Sequence, residues 1–137
     1  VKEIIDKIFN LNSKWRITIF CFYLLMVTYL SLAPASTFSN VRIGIPYSDK
    51  IAHFMMYGFF VVILRWTING SYKIRWKYLW LLAASIFYGI FMEILQFHLS
   101  SITARSFEFG DIVANSLGAC VFWVATNGFF NKPVVSE

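Results

Sequence analysis

Charge is scarce in this sequence. Only 14% of its 137 residues are Asp, Glu, Lys or Arg, whereas 58% are apolar and 20% aromatic. A water-soluble fold of this size needs a polar coat over its core, and four long apolar runs leave too little polar sequence to make one. Cysteine is nearly absent. Cys21 and Cys120 both fall inside apolar runs, where they read as small buried residues rather than a disulfide framework. Strict apolar/polar alternation is missing too, which excludes the strands of a membrane barrel. There is no internal repeat, no low-complexity tract and no His-rich or Cys-rich motif.

What is present is four stretches of helix length. Ile17–Pro34 carries no charge, close to the roughly 20 residues that cross a hydrocarbon core as helix, and it is longer than the apolar core of a cleaved signal. Ile51–Ile68 contains only Arg65, which is expected to snorkel to the headgroups beside Trp66. Tyr78–Phe97 holds one carboxylate, Glu93, and Ile112–Phe130 holds no charge. Backbone facing lipid must satisfy its own hydrogen bonds. The sequence therefore predicts an all-α polytopic membrane protein, a bundle of four transmembrane helices at about 16–34, 49–68, 78–97 and 111–130, in one domain over 1–137.

Basic residues mark the cytoplasmic side of such a bundle. Lys2, Lys7, Lys14, Arg16, Arg65, Lys73, Arg75, Lys77 and Lys132 fall on one side, and Arg42, Lys50 and Arg105 on the other. This predicts cytoplasmic termini, with Trp15, Trp66, Trp76 and Trp80 at the inner boundary. The net charge of +5 then suits an anionic inner leaflet rather than nucleic acid.

Polar residues gather at the opposite end, on one face of each helix. Asp49, His53 and Tyr57 follow an i, i+4, i+8 row. Gly89, Glu93 and Gln96 follow i, i+4, i+7, as do Asp111, Asn115 and Gly118. Ionisable groups within a bilayer normally face the bundle interior, so the three stripes are expected to turn toward one another, with Gly89, Gly118 and Ala119 allowing close approach. Glu93, near a helix C-terminus that disfavours a carboxylate, needs a cation or a proton, and Lys50 or Arg105 is the expected partner. Asp111 begins its helix and suits an N-cap, as do Ser48 and Asp49. His98 reads as an interfacial histidine.

The order DKIAHFMMYG, GIFMEILQF, Arg105 and DIVANSLGA resembles the VanZ-like family of small bacterial membrane proteins. The resemblance covers roughly residues 47–121. It implies that Asp49, Lys50, His53, Tyr57, Glu93, Gln96, Arg105, Asp111, Asn115 and Gly118 are the family's characteristic positions. It further implies a multi-pass plasma-membrane protein of the cell envelope, in a family named for a member associated with teicoplanin resistance.

Three functions compete for this polar cluster. In the first, it binds or processes an anionic lipid or lipid-linked cell-wall precursor. Lys50 and Arg105 hold the phosphate, with Asp49, Tyr57, Gln96 and Asn115 lining the site, and His53, Glu93 and Asp111 serve as acid and base. In the second, Asp49, His53, Glu93 and Asp111 ligate a metal ion; nearby Lys50 and Arg105 argue against it, so the expected site is metal-free and cofactor-free. In the third, the cluster is structural and the protein is a non-catalytic interaction partner in the bilayer.

Overall fold

The computed structural model describes residues 2–38, 46–69 and 78–130. Arg42, Lys73, Arg75, Trp76, Lys77 and Lys132 lie outside the described residues. Helix α1, Lys2–Phe9, precedes α2, Ser13–Leu32, and a 3-10 turn at Ala35–Phe38 follows. Next come α3, Ser48–Asn69, and α4, Leu79–His98, then the short α5, Ser100–Thr103, and α6, Phe109–Phe130. No strand occurs among the described residues. Four of the helices are long and apolar enough to cross a membrane: Ser13–Leu32, Ser48–Ile68, Leu79–His98 and Phe109–Asn127. The chain is an all-α polytopic membrane protein, as its apolar runs predict.

Local chemistry explains the helix ends. The Asn12 side chain accepts from the Lys14 N–H at 3.1 Å and starts α2, satisfying one of the free amides of its first turn. Ala33, extended at φ −58° and ψ 140°, precedes Pro34, whose ring excludes the helical conformation from the residue before it. After α4, the Ala104 backbone turns left-handed at φ 53° and its N–H donates to Ser100 O, closing α5. The chain is thereby redirected toward the start of α6. The small helix α1, with Ile4 and Ile8 exposed, was not foreseen from sequence.

The hydrogen bonds fix the directions of the four long helices. Arg16 near the start of α2 donates to Trp66 O near the end of α3, so these two run antiparallel. Ser31 at the end of α2 meets Gln96 at the end of α4, so these run alike. The starts of α3 and α6 meet through His53 and Asn115, and their ends through Arg65 and Asn127. The result is an up-down-up-down bundle with α3 and α6 parallel, and theirs is the most extensive interface in the molecule.

One core cluster joins Val61, Leu81, Ala119 and Trp123; a second joins Val27, Tyr57 and Phe60. The Phe60 and Tyr88 rings stack at 5.0 Å between centroids. Outside, large apolar side chains face away from the bundle: Phe22 is 73% exposed, Phe87 71% and Val124 69%. Such an outer surface suits hydrocarbon. Cys21 sits on this exposed surface, contrary to the expectation of a buried residue; Cys120 is half-buried, and both are free thiols. Trp15 and Trp80 are exposed, while Trp66 is buried.

Arg65 departs from expectation. It does not snorkel: it is fully buried, donating to Trp123 O at 3.1 Å, Thr126 Oγ1 at 3.3 Å and Asn127 Oδ1 at 2.6 Å. Its guanidinium also lies 4.1 Å from the Trp123 ring centroid. Three acceptors on α6, the Trp123 carbonyl and the Thr126 and Asn127 side chains, draw a planar, multidentate donor inward. Arg65→Lys is expected to destabilise the bundle by roughly 2 kcal/mol, because a compact ammonium replaces neither the forked bonds nor the stacking. Thermal unfolding in detergent, followed by tryptophan fluorescence, checks this; an unchanged midpoint contradicts it.

Candidate functional site

The C-terminal ends of α2 and α4 and the N-terminal ends of α3 and α6 form the polar end of the bundle. The three stripes do converge there, since His53, Tyr57, Glu93, Gln96, Asp111 and Asn115 are all buried. Gly118 makes this possible. A Cβ at that position would lie 2.0 Å from Phe54 O, so the backbones of α3 and α6 touch one helical turn from His53 and Asn115.

At the centre, one ligand-type atom from each of His53, Glu93 and Asp111 lies within 4.8 Å of the others. His53 Nδ1 is 3.1 Å from Asn115 Oδ1. A carboxamide oxygen only accepts, so Nδ1 carries the proton and Nε2 is the ring atom turned to the carboxylates. Nε2 stands 3.6 Å from Asp111 Oδ2.

Lys50 is committed to carboxylates. It pairs with Asp49 at 2.8 Å, with Asp111 Oδ1 at 2.6 Å, and with Glu108. Asp49 itself is exposed and contributes only through this pair. Asp111 lies within the first turn of α6 rather than at its cap, and Ser48 and Asp49 likewise lie inside α3. Its carboxylate serves Lys50 and His53 instead, while still suiting the positive end of the helix dipole.

Glu93, only 1% exposed, does not find the expected cation. Its Oε2 accepts from the Glu108 N–H at 3.4 Å, and among the described residues no ion pair joins it to Lys50 or Arg105. The reason is geometric. The chain entering α6 brings a backbone amide to Glu93, at a helix N-terminus where anions are favoured. Arg105 is held instead at the end of α2, donating from Nη1 to Ser31 O at 3.3 Å, beside the Gln96 Nε2 bond to the same carbonyl at 2.7 Å. These donors satisfy a carbonyl that the last turn of α2 leaves open. Tyr57 is fully buried one turn deeper, packed on Phe60 and Tyr88. His98 is exposed, with Nδ1 2.8 Å from Ile94 O.

Glu108 and Ser31 complete the site and were missed from sequence. Glu108 lies between Arg105 and Asp111, so its charge was available as a signal. Ser31 acts through a backbone carbonyl, which has no signature. With them, the described residues of this end carry four carboxylates, Asp49, Glu93, Glu108 and Asp111, against the two fixed cations Lys50 and Arg105.

Comparison with known proteins was informative at the level of family. The model of the family described as VanZ/LLP1 matches residues 8–130. A protein of the fission yeast Schizosaccharomyces pombe, described as uncharacterized protein C11E3.10, is 31% identical over 116 residues. The match covers 85% of this chain and 64% of that relative, so the chain spans somewhat less than two thirds of its length. No solved structure matches.

Proposed function

Because the chain belongs to the VanZ/LLP1 family, whose model takes in every residue of the polar end, we propose that this end binds and acts on the phosphate-bearing headgroup of a membrane lipid. The observation that carries the reading is the convergence of buried His53, Glu93 and Asp111 under an apolar exterior that admits lipid. Arg105, half-buried on the segment between α5 and α6, is the cation with access to a phosphate. His53 Nε2 stands 3.6 Å from Asp111 Oδ2, with Glu93 close by, and is suited to accept a proton from a nucleophile or return it to a leaving oxygen. Asn115 positions His53 through its bond, and Gln96 shares the Ser31 carbonyl with Arg105. In a bacterial plasma membrane with cytoplasmic termini, the site would face the outer leaflet and its lipid-linked wall precursors, and glycopeptide tolerance would follow from altering them. A relative in a yeast favours the broader class of lipid phosphates over a wall precursor alone.

A structural reading has its own support, namely the three carboxylates around Lys50 and the two donors on Ser31 O. Lipid extraction and mass spectrometry of purified protein separate the two. Enrichment of a phosphate-bearing lipid over the bulk membrane is expected, together with at least a tenfold loss in Arg105→Ala. The midpoint of that variant should move by less than about 4 °C, since a half-exposed loop cation contributes only about 0–1 kcal/mol. No enrichment, or collapse of Arg105→Ala with lipid retained, would leave the structural role.

A further inference from the structure

We propose that His53 Nε2, Glu93 and Asp111 bind one divalent transition-metal ion, zinc or manganese in type, at the polar end of the bundle. It deepens the headgroup reading, on which it rests only for the ion's use; the ion itself is argued from the three side chains. Each is more than nine-tenths buried, and one potential ligand atom from each lies within 4.8 Å of the other two. Imidazole with two carboxylates is a donor set that suits these metals.

The separation of His53 Nε2 from Asp111 Oδ2 suits a shared ion better than a direct hydrogen bond. At 3.6 Å it exceeds the roughly 2.7–3.2 Å of an N–H···O hydrogen bond. Ligands about 2.0–2.2 Å from a zinc ion stand about 3.3–3.6 Å apart along a tetrahedral edge. The pair is therefore spaced as ligands that share an ion. Glu93 offers the third ligand atom, an oxygen within 4.8 Å of the other two.

The surroundings are those of a built site. Metal-binding histidines and carboxylates are normally held through their remaining atoms, and all three are held here. Asn115 Oδ1 accepts from His53 Nδ1, Lys50 holds Asp111 Oδ1, and the Glu108 N–H reaches Glu93 Oε2. Next to the imidazole, buried Asn115 Nδ2 has no hydrogen-bond partner among the described residues. It lies toward Gly89 of α4, one turn deeper than Glu93. Three protein ligands leave an open position on the ion, as catalytic sites do. Lys50 and Arg105 were the argument against a cation in the sequence, but Asp49, Glu108 and Asp111 surround the charge of Lys50, and Arg105 donates to Ser31 O. The neighbouring group Asp49, Glu108 and Asp111 also has ligand-type atoms within 4.8 Å, but two of its members are exposed and its charge is directed at Lys50, so it is the weaker candidate. A bound ion would supply the positive charge that this carboxylate-rich end needs to hold a phosphate.

Delipidated, chelated protein in detergent provides the test, with Zn2+ and Mn2+ as probes. One equivalent of Zn2+ by elemental analysis is expected, and nitrogen coupling from an imidazole in pulsed EPR of the Mn2+ form. Uptake should vanish in His53→Gln and Asp111→Asn and persist in Glu108→Gln. Asn115→Ala should lower affinity about 10–100-fold with stoichiometry kept at saturation. Folded wild-type protein that takes up neither ion, or shows no nitrogen coupling, overturns the assignment without need of any variant. So does uptake lost in Glu108→Gln but kept in His53→Gln. Lipid phosphate retained after chelation would preserve the headgroup reading and remove the metal's part in it.

Discussion

Gly118→Ala is expected to cost the bundle at least about 3 kcal/mol, the upper range for forcing a methyl into a packed interior, and Gly118→Leu is expected to prevent folding. The added Cβ would sit 2.0 Å from Phe54 O, 2.8 Å from Phe54 C and 2.9 Å from Phe54 Cα. All three are backbone atoms of a helix, so no side-chain rotation relieves the clash and α3 must move away from α6. That movement separates His53 from Asn115 at one end and loosens the Arg65 contacts at the other. Gly58→Ala supplies the comparison. Its Cβ would meet only the Phe122 ring, at 2.5–2.8 Å, and a ring can shift, so a loss of about 1–2 kcal/mol is expected. Unfolding midpoints in detergent, with size-exclusion profiles, report the order. Equal midpoints for the two variants, or a Gly118→Ala protein as stable as the wild type, would contradict the close contact of α3 and α6.

The four spans were legible because their signal is additive. Length and low charge over about 20 residues identify a membrane helix without reference to its neighbours. The helices begin and end within a few residues of the apolar runs, and Pro34 marks the end of α2 where its ring requires. The side chains that escaped are those whose behaviour depends on a partner helix. Arg65 near the end of an apolar run has two options, headgroups or protein, and the acceptors that α6 presents at Trp123, Thr126 and Asn127 decide between them. Cys21 is apolar enough for either a lipid face or a core.

The site was legible as a set of residues and less so as a set of bonds. Helical spacing brings His53, Glu93 and Asp111 to facing stripes, and they do meet. Pairing is a different matter, since it depends on where backbone amides and carbonyls end up. Glu93 found the amide of Glu108, and Arg105 found the carbonyl of Ser31. Charge counting along a sequence omits both kinds of partner, which is why it matched Glu93 with Lys50 or Arg105. Lys50 looked available to an anion for another reason: two of its three carboxylate partners, Glu108 and Asp111, come to it from the start of α6 only through helix packing.

Glu93→Gln is expected to leave the melting midpoint of the metal-free protein unmoved or higher, while abolishing Zn2+ uptake and the retention of lipid phosphate. Glu93 and Asp111 offer oxygens within 4.8 Å of each other in a buried place. Two ionised carboxylates at that distance repel by on the order of 3 kcal/mol at an effective dielectric of about 20. Against this, Glu93 has one long bond from the Glu108 N–H at 3.4 Å, and the glutamine oxygen can keep it. The substitution removes repulsion and preserves shape, so only a bound cation or substrate loses by it. Such a gain in stability with loss of function is the signature of a site held ready for a ligand. Gln96→Ala behaves in the opposite way if the bundle is as described. It removes the 2.7 Å bond to Ser31 O and should lower the midpoint by about 1 kcal/mol equivalent. A fall of 5 °C or more in Glu93→Gln, roughly 1–2 kcal/mol for a chain of this size, matching or exceeding that of Gln96→Ala, would make Glu93 a structural tie and remove it from the proposed chemistry.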